Sequence, residues 1–343
     1  CSSNRAWLER VCPYPVFQKD CHIRCGMCVK PTTPTTTTPL PPITDSNIRK
    51  LTNQYLDTSD KNNFRYGRIG TWDVTRVTNM KKLFFWKTSF NENISDWDVS
   101  NVTDMEDMFY YASAFNQPIG NWDVSNVTDM SFMFMYARSF NQDLYWDVSN
   151  VRDMEDMFIE ASLFNGDISN WDVSNVTDTE TMFYYASAFN QPIGNWDVSN
   201  VTNMKGMFQN ASSFNENISD WNVSSATTME SMFYGTSAFN QPIGNWDVSN
   251  VTNMSNMFYN ANDFNENISD WDVSNVRDMS FMFQHAYAFN QPIGNWDVSN
   301  VTNMRAMFIQ ARSFNQDLYW DVSNVRDMED MFIEASLFNG DIS

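Results

Sequence analysis

The sequence predicts a mostly β solenoid of about eleven coils, and three observations predict it. Trp recurs at positions 72, 97, 122, 146, 171, 196, 221, 246, 271, 296 and 320, in steps of 25 residues with two of 24. Each Trp opens one unit, W-D-V-S-N-V-T-[ND]-M-x-x-M-F-x-x-A-x-x-F-N-x-x-I-x-x. A fixed period of 20–30 residues marks a stacked-repeat architecture, in which no unit buries its apolar face alone. At larger scale, residues 137–169 and 311–343 are identical over 33 positions, 174 residues apart. That distance is seven coils, six of 25 and one of 24, so a seven-coil block was copied whole.

Ahead of the array the chain is Cys-dense. All five cysteines, Cys1, Cys12, Cys21, Cys25 and Cys28, fall in the first 28 residues. That density reads as a disulfide module made in an oxidising compartment. Zinc is the competing reading, weakened by the lack of paired C-x-x-C knuckles and by His22 as the sole local imidazole. Residues 31–42, PTTPTTTTPLPP, form an extended spacer, because Pro fixes φ and excludes helix and sheet. Thr clustered with Pro is also the composition of O-glycosylated stalks, which makes Thr32, Thr33, Thr35, Thr36, Thr37 and Thr38 candidate acceptors. In residues 43–71, the stretch SNIRKLTNQYL predicts a short amphipathic helix capped by Ser46 or Asp45. It would cap the solenoid by covering the first coil. The array then fills 72–343. Within W-D-V, Trp and Val point one way and Asp the other, as in a strand, and coils stacked at about 4.8 Å would bury the rest. In the coil of Trp122 the filling is Val127, Met130, Met133, Phe134, Ala137, Phe140 and Leu144.

The 343 residues carry 21 basic and 42 acidic side chains, a net charge of −21. Such a chain is repelled by phosphate backbones, which argues against nucleic-acid partners. No run of 18 apolar residues is present, so no membrane span is expected. The 42% hydrophobic and 15% aromatic content exceeds what an acidic disordered tail carries. Residues 29–343 hold no thiol and a single histidine, His285. Most nucleophile and metal-ligand chemistry is thereby removed, and no enzyme or cofactor is expected. Carboxylates recur in every coil, so no acid pair stands out as a glycosidase would require.

The polar positions form rows. Asp98, Asp123, Asp147, Asp172 and Asp197 recur on the W-D-V segment. They read either as turn formers or as a cation ladder, calcium being the candidate ion. The Asn after each Phe reads as an internal asparagine ladder that satisfies backbone groups at a turn. N-x-S/T sequons fall at Asn93, Asn101, Asn126, Asn175, Asn200, Asn210, Asn217, Asn222, Asn250, Asn253, Asn267 and Asn300, the N-glycosylation candidates. Arg152, Arg277 and Arg326 interrupt the Thr row, which argues against a flat ice-binding face. Phe85, Tyr110, Tyr184, Tyr234 and Tyr259, with Trp86, Tyr111, Tyr136 and Tyr185 beside them, read equally as a lateral contact edge or as a broadened core.

Two resemblances follow from these residues. The W-D-V-S-N-V-T-x-M-x-x-M-F unit, with the opening segment ITDSNIRKLTNQYLDTSDKNNFRYGRIGTWDV, resembles the BspA-type leucine-rich-repeat surface proteins over residues 43–343. That resemblance implies a right-handed leucine-rich-repeat-like array with short strands, extracellular display, and adhesion or matrix roles rather than catalysis. The Cys21, Cys25 and Cys28 ending, with Trp7 upstream, resembles the later part of a ShK-type domain. It implies the pairs Cys1–Cys21 and Cys12–Cys25, with Cys28 bonded to a residue outside this sequence. The start at Cys1 and the stop at Ser343, without a closing segment, are read as cuts or joining surfaces. The expected function is a secreted, glycosylated structural protein that self-associates into, or coats, an extracellular filament or cell-surface layer. The alternative is a surface adhesin that binds a glycan or protein through its repeat face.

Overall fold

A computed structural model describes residues 39–342. All of them from Pro42 on belong to the second of the chain's two compact units, Pro42–Ser343. The five cysteines, the Thr candidates and the ShK-like segment lie outside the described residues.

The described chain stacks coil on coil, but not as a β solenoid. Among the described residues no strand forms. Coils are joined in register by single parallel bridges, from Asn79–Asp104 through Asn303–Asp327. The expectation of a right-handed, leucine-rich-repeat-like β solenoid with short strands is therefore overturned. The physical reason lies in the spacing of the buried residues. In the coil of Trp97, Val102 N–H donates to the Val99 carbonyl (2.8 Å), Met108 to Met105 (3.1 Å), Ala112 to Phe109 (2.8 Å), and Phe115 to Ala112 (2.9 Å). Every one of these residues is buried. Each tight turn thus begins and ends on a core side chain, so a three-residue spacing of apolar positions builds a polygon of turns rather than a pleat.

Neighbouring coils are nonetheless tied by backbone bonds. Met105, Asp107, Phe109 and Tyr111 donate to Asp129, Ser131, Met133 and Met135 of the next coil at 2.8–3.2 Å. This run of donors works because two residues per coil, four apart, are left-handed. Asp107 (φ 58°) and Tyr111 (φ 55°) are one such pair, and Thr181 (φ 47°) and Tyr185 (φ 54°) another. Glycine occupies these positions only at Gly206 and Gly235. Each non-Gly residue held there costs on the order of 1 kcal/mol, which the inter-coil bonds offset.

The core consists of three aromatic columns. Phe109, Phe134, Phe158 and Phe183 stack at 5.5–5.6 Å, and Phe115, Phe140, Phe164 and Phe189 at 5.9–6.0 Å. Within a coil the two Phe rings lie face to face, 4.0 Å apart for Phe109–Phe115. The third column is Trp, in which seven successive pairs of rings stack at 6.1–6.5 Å, among them Trp171–Trp196 and Trp122–Trp146. Each Trp from Trp97 to Trp296 also donates its indole N–H to a carbonyl 27 or 28 residues back, as Trp97 does to Ile69 (2.8 Å). That bond removes the cost of a buried unpaired donor. The 24-residue coils keep this column: Trp146 still reaches the Ile119 carbonyl at 2.9 Å. The missing residue is absorbed at the surface, where Tyr145 is 60% exposed. Val322, Met328 and Ile342, at positions buried in every earlier coil, are exposed in the last described one. Burial therefore comes from the coil that follows.

At the other end lies α1 (Ile48–Asp57), which buries Ile48, Leu51, Thr52 and Tyr55. Tyr55 meets Trp72 edge-on at 5.7 Å. The helix forms within the stretch expected to be helical, but its cap differs. The N-cap residue is Asn47, which makes no side-chain capping bond. Asp45 instead accepts from Thr78 N (2.8 Å), Thr78 Oγ1 (2.7 Å) and Asn79 N (3.1 Å) of the first coil. In later coils such Thr N–H groups bond to the preceding coil, as Thr103 does to Thr78. Asp45 stands in for that absent neighbour.

Candidate functional site

The array's chemistry is carried by its outer rows. The five aspartates raised as a cation ladder each turn back into their own turn. Asp98, Asp123 and Asp147 accept from the Ser N–H two residues on at 3.0–3.1 Å and from its hydroxyl at 2.6 Å. Asp172 and Asp197 accept the corresponding N–H from Ser174 and Ser199. The Ser hydroxyl, then the backbone N–H, holds the Asp98, Asp147 and Asp197 carboxyls below the usual range. This is the Asx-turn geometry that Asp adopts locally. Among the described residues, no three His, Cys, Asp or Glu side chains converge as metal ligands would.

The asparagine ladder is continuous. From Asn116 to Asn339, each Asn N–H donates to the side-chain oxygen of the Asn one coil back, at 2.7–3.0 Å. The ladder runs at the surface, half-buried to exposed, rather than inside.

The structure sorts the sequons into three groups. The amide nitrogens of Asn101, Asn126, Asn175, Asn200, Asn250 and Asn300 donate to a carbonyl of the preceding coil at 2.7–2.9 Å. Asn93, Asn217, Asn222 and Asn267 are exposed and use only their side-chain oxygen, to accept from a nearby Ser. Asn210 and Asn253 are half-buried, and Asn253 Nδ2 donates to Glu230 (3.0 Å).

The aromatic edge is stacked like the core but open to solvent. Trp86 lies on Tyr111 at 4.1 Å and 3°, and Tyr111 on Tyr136 at 4.3 Å. Tyr234 and Tyr259 lie 4.4 Å apart at 2°. His285 continues this edge, with Nδ1 3.0 Å from Asn260 Oδ1. Burial, then the nearby Arg312, lowers its pKa, so it is neutral at pH 7.

One feature escaped the sequence reading. The coil reading V-R-D-M-E-D-M-F places Asp153, Glu155 and Asp156 against Asp178 and Glu180 of the next coil. Burial, followed by repulsion from Asp156 and Asp153, raises Glu155 from 4.5 to about 7. Asp153 and Asp156 are raised as well, chiefly by burial. The sign follows from proton counting. Between pH 4.5 and about 7 the unfolded chain has released the Glu155 proton and the folded chain has not. Stability therefore falls as pH rises through that window and is level above it. Glu155→Gln is expected to flatten this slope and to raise the melting temperature at pH 8 but not at pH 4.5. The gain is at most about 1 kcal/mol, because the group is solvent-screened. Equal melting shifts at both pH values would contradict the assignment. The signal was present in the doubled acid of E-D, but only the register of stacking shows which carboxylates meet.

Comparison with known protein families gives three tandem matches to DUF285, described as a Mycoplasma protein of unknown function, over residues 50–145, 144–246 and 227–343. No curated protein matches.

Proposed function

The chain belongs to the DUF285 family, a BspA-like repeat family, and from that premise we propose that it is a secreted, glycosylated structural protein that builds or coats an extracellular filament or surface layer. The observation that carries this reading is the unbroken continuity of the stack. Both Phe columns and the Asn ladder pass from coil to coil along the array without an interruption that would form a cleft. Repetition that adds length without adding a new site fits a spacer or fibre element, as does the copied 33-residue segment. Attached sugars belong first on Asn93, Asn217, Asn222 and Asn267, whose amide nitrogens donate to no acceptor among the described residues. Asn101, Asn126, Asn175, Asn200, Asn250 and Asn300 already commit one amide hydrogen to the preceding coil.

Negative-stain electron microscopy of native material, with and without a calcium chelator, tests the reading. Continuous fibres, with sugar at the four exposed sequons by glycopeptide mass spectrometry, are expected. Separate rods of about 50 Å, eleven coils at about 4.8 Å each, would overturn it in favour of the adhesin reading. Fibres that dissolve on chelation would assign the carboxylate rows to cation bridging. The adhesin reading has its own support in the solvent-facing stack Trp86–Tyr111–Tyr136.

A further inference from the structure

We propose that the hollow between the end of α1 and the first coil is a saccharide-binding site. This rests on the local geometry and not on the filament reading. The cavity is about 360 Å³ and is lined by Leu56 and Asp57 at the end of α1, by Lys61, and by the loop from Trp86 to Glu92. That volume is at the small end of ligand pockets and suits one or two sugar rings.

Three features give the hollow its chemistry. Trp86 is 54% exposed, and one of its faces is covered by Tyr111 of the next coil. It is the first ring of its run, so among the described residues no ring covers its other face, and it lines the cavity. The second feature is an unmet donor. In all ten later coils the Asn after Phe donates its backbone N–H to the Asn of the coil before. Asn91 heads the ladder, and its N–H has no acceptor among the described residues. The segment before the array compensates for the missing coil elsewhere: Asp45 supplies acceptors at Thr78 and Asn79, and Lys61 pairs with Glu92 at 2.6 Å. The stretch at Asn91 is left open. Third, the Asp57 carboxylate and the Lys87 ammonium both line the cavity, and neither has an ion-pair partner among the described residues.

A ligand that uses all three must offer a flat C–H face to Trp86, accept hydrogen bonds from Asn91 N–H and Lys87, and donate to Asp57. A sugar ring, whose hydroxyls both donate and accept, meets those demands. An apolar ligand would leave these polar groups desolvated and unpaired, and a simple anion would face Asp57 and gain nothing from Trp86.

The test screens the full chain against an immobilised array of neutral, amino and uronic-acid oligosaccharides, followed by calorimetric titration of the best binder. Binding is expected, and Trp86→Ala should weaken it by at least about tenfold, the loss of one stacked aromatic contact. Tyr185→Ala, an exposed ring at the same repeat position that does not line this hollow, should leave binding unchanged. Asp57→Asn, outside the array, provides a second variant if Trp86→Ala melts early, and it too should weaken binding. Absence of any binder on the array, or equal losses in Trp86→Ala and Tyr185→Ala, would overturn the proposal.

Discussion

Phe208→Ala is expected to cost about 3–5 kcal/mol and to divide the array into two melting units. Phe208 is fully buried at the crossing of two columns. It lies 4.0 Å from Phe214, 5.7 Å from Phe183, 5.8 Å from Phe233 and 6.2 Å from Trp221. Removing the ring opens a cavity and breaks the stack on both sides. In a nearest-neighbour array, stability is the sum of unit terms and interface terms. A weakened interface in the middle therefore uncouples the coils before it from those after it. Thermal or urea unfolding should change from one transition to two, and amide exchange should accelerate first in the coils flanking 208. A single transition within 1 kcal/mol of the parent would show that the Phe column does not carry the cooperativity.

Gly194→Ala is expected to destabilise by roughly 1–3 kcal/mol, the cost of overpacking. A β-carbon on Gly194 would sit 2.4 Å from the Asn217 carbonyl oxygen of the next coil. Gly70, Gly120, Gly244 and Gly294 face the next coil's carbonyl in the same way, at 2.2–2.3 Å. The other coils carry Ser95, Ser169, Ser219 and Ser269 at this position, or Tyr145 and Tyr319 in the two 24-residue coils. The alternation of Q-P-I-G-N with N-E-N-I-S-D is thus a packing code, in which a coil with no side chain receives the backbone of one that has it. Ser219→Ala is the control and should be neutral. Equal urea midpoints for Gly194→Ala and Ser219→Ala would refute this account.

The repeat, its length and its core were legible because a 25-residue period writes the buried positions out many times. Val, Met, Phe, Ala and Ile recur at fixed offsets, and the structure buries them. The asparagine ladder was legible for the same reason, since one polar residue held at one offset must meet its own copy. The aspartates were ambiguous in sequence, because a carboxylate row serves a turn or a cation equally well. Their geometry is that of a turn, closed by the Ser two residues on. Asp45 was, with Ser46, one of two candidate helix caps, which its local position allows, and only the arrival of Thr78 from the first coil reassigns it.

By itself the sequence determined that this chain is a stacked-repeat array, which residues fill it and where it begins. Tertiary structure alone decided how each coil turns. The left-handed positions hold Lys82, Trp86, Phe132, Thr181, His285 and Ala306, residues with no shared preference for that conformation. Local propensity cannot announce them, because what holds them there is a hydrogen bond to a residue 23 or 24 positions away. The same bonds replace the expected strands with tight turns. They also leave Asn91, the first rung, with the ladder N–H that meets no acceptor among the described residues.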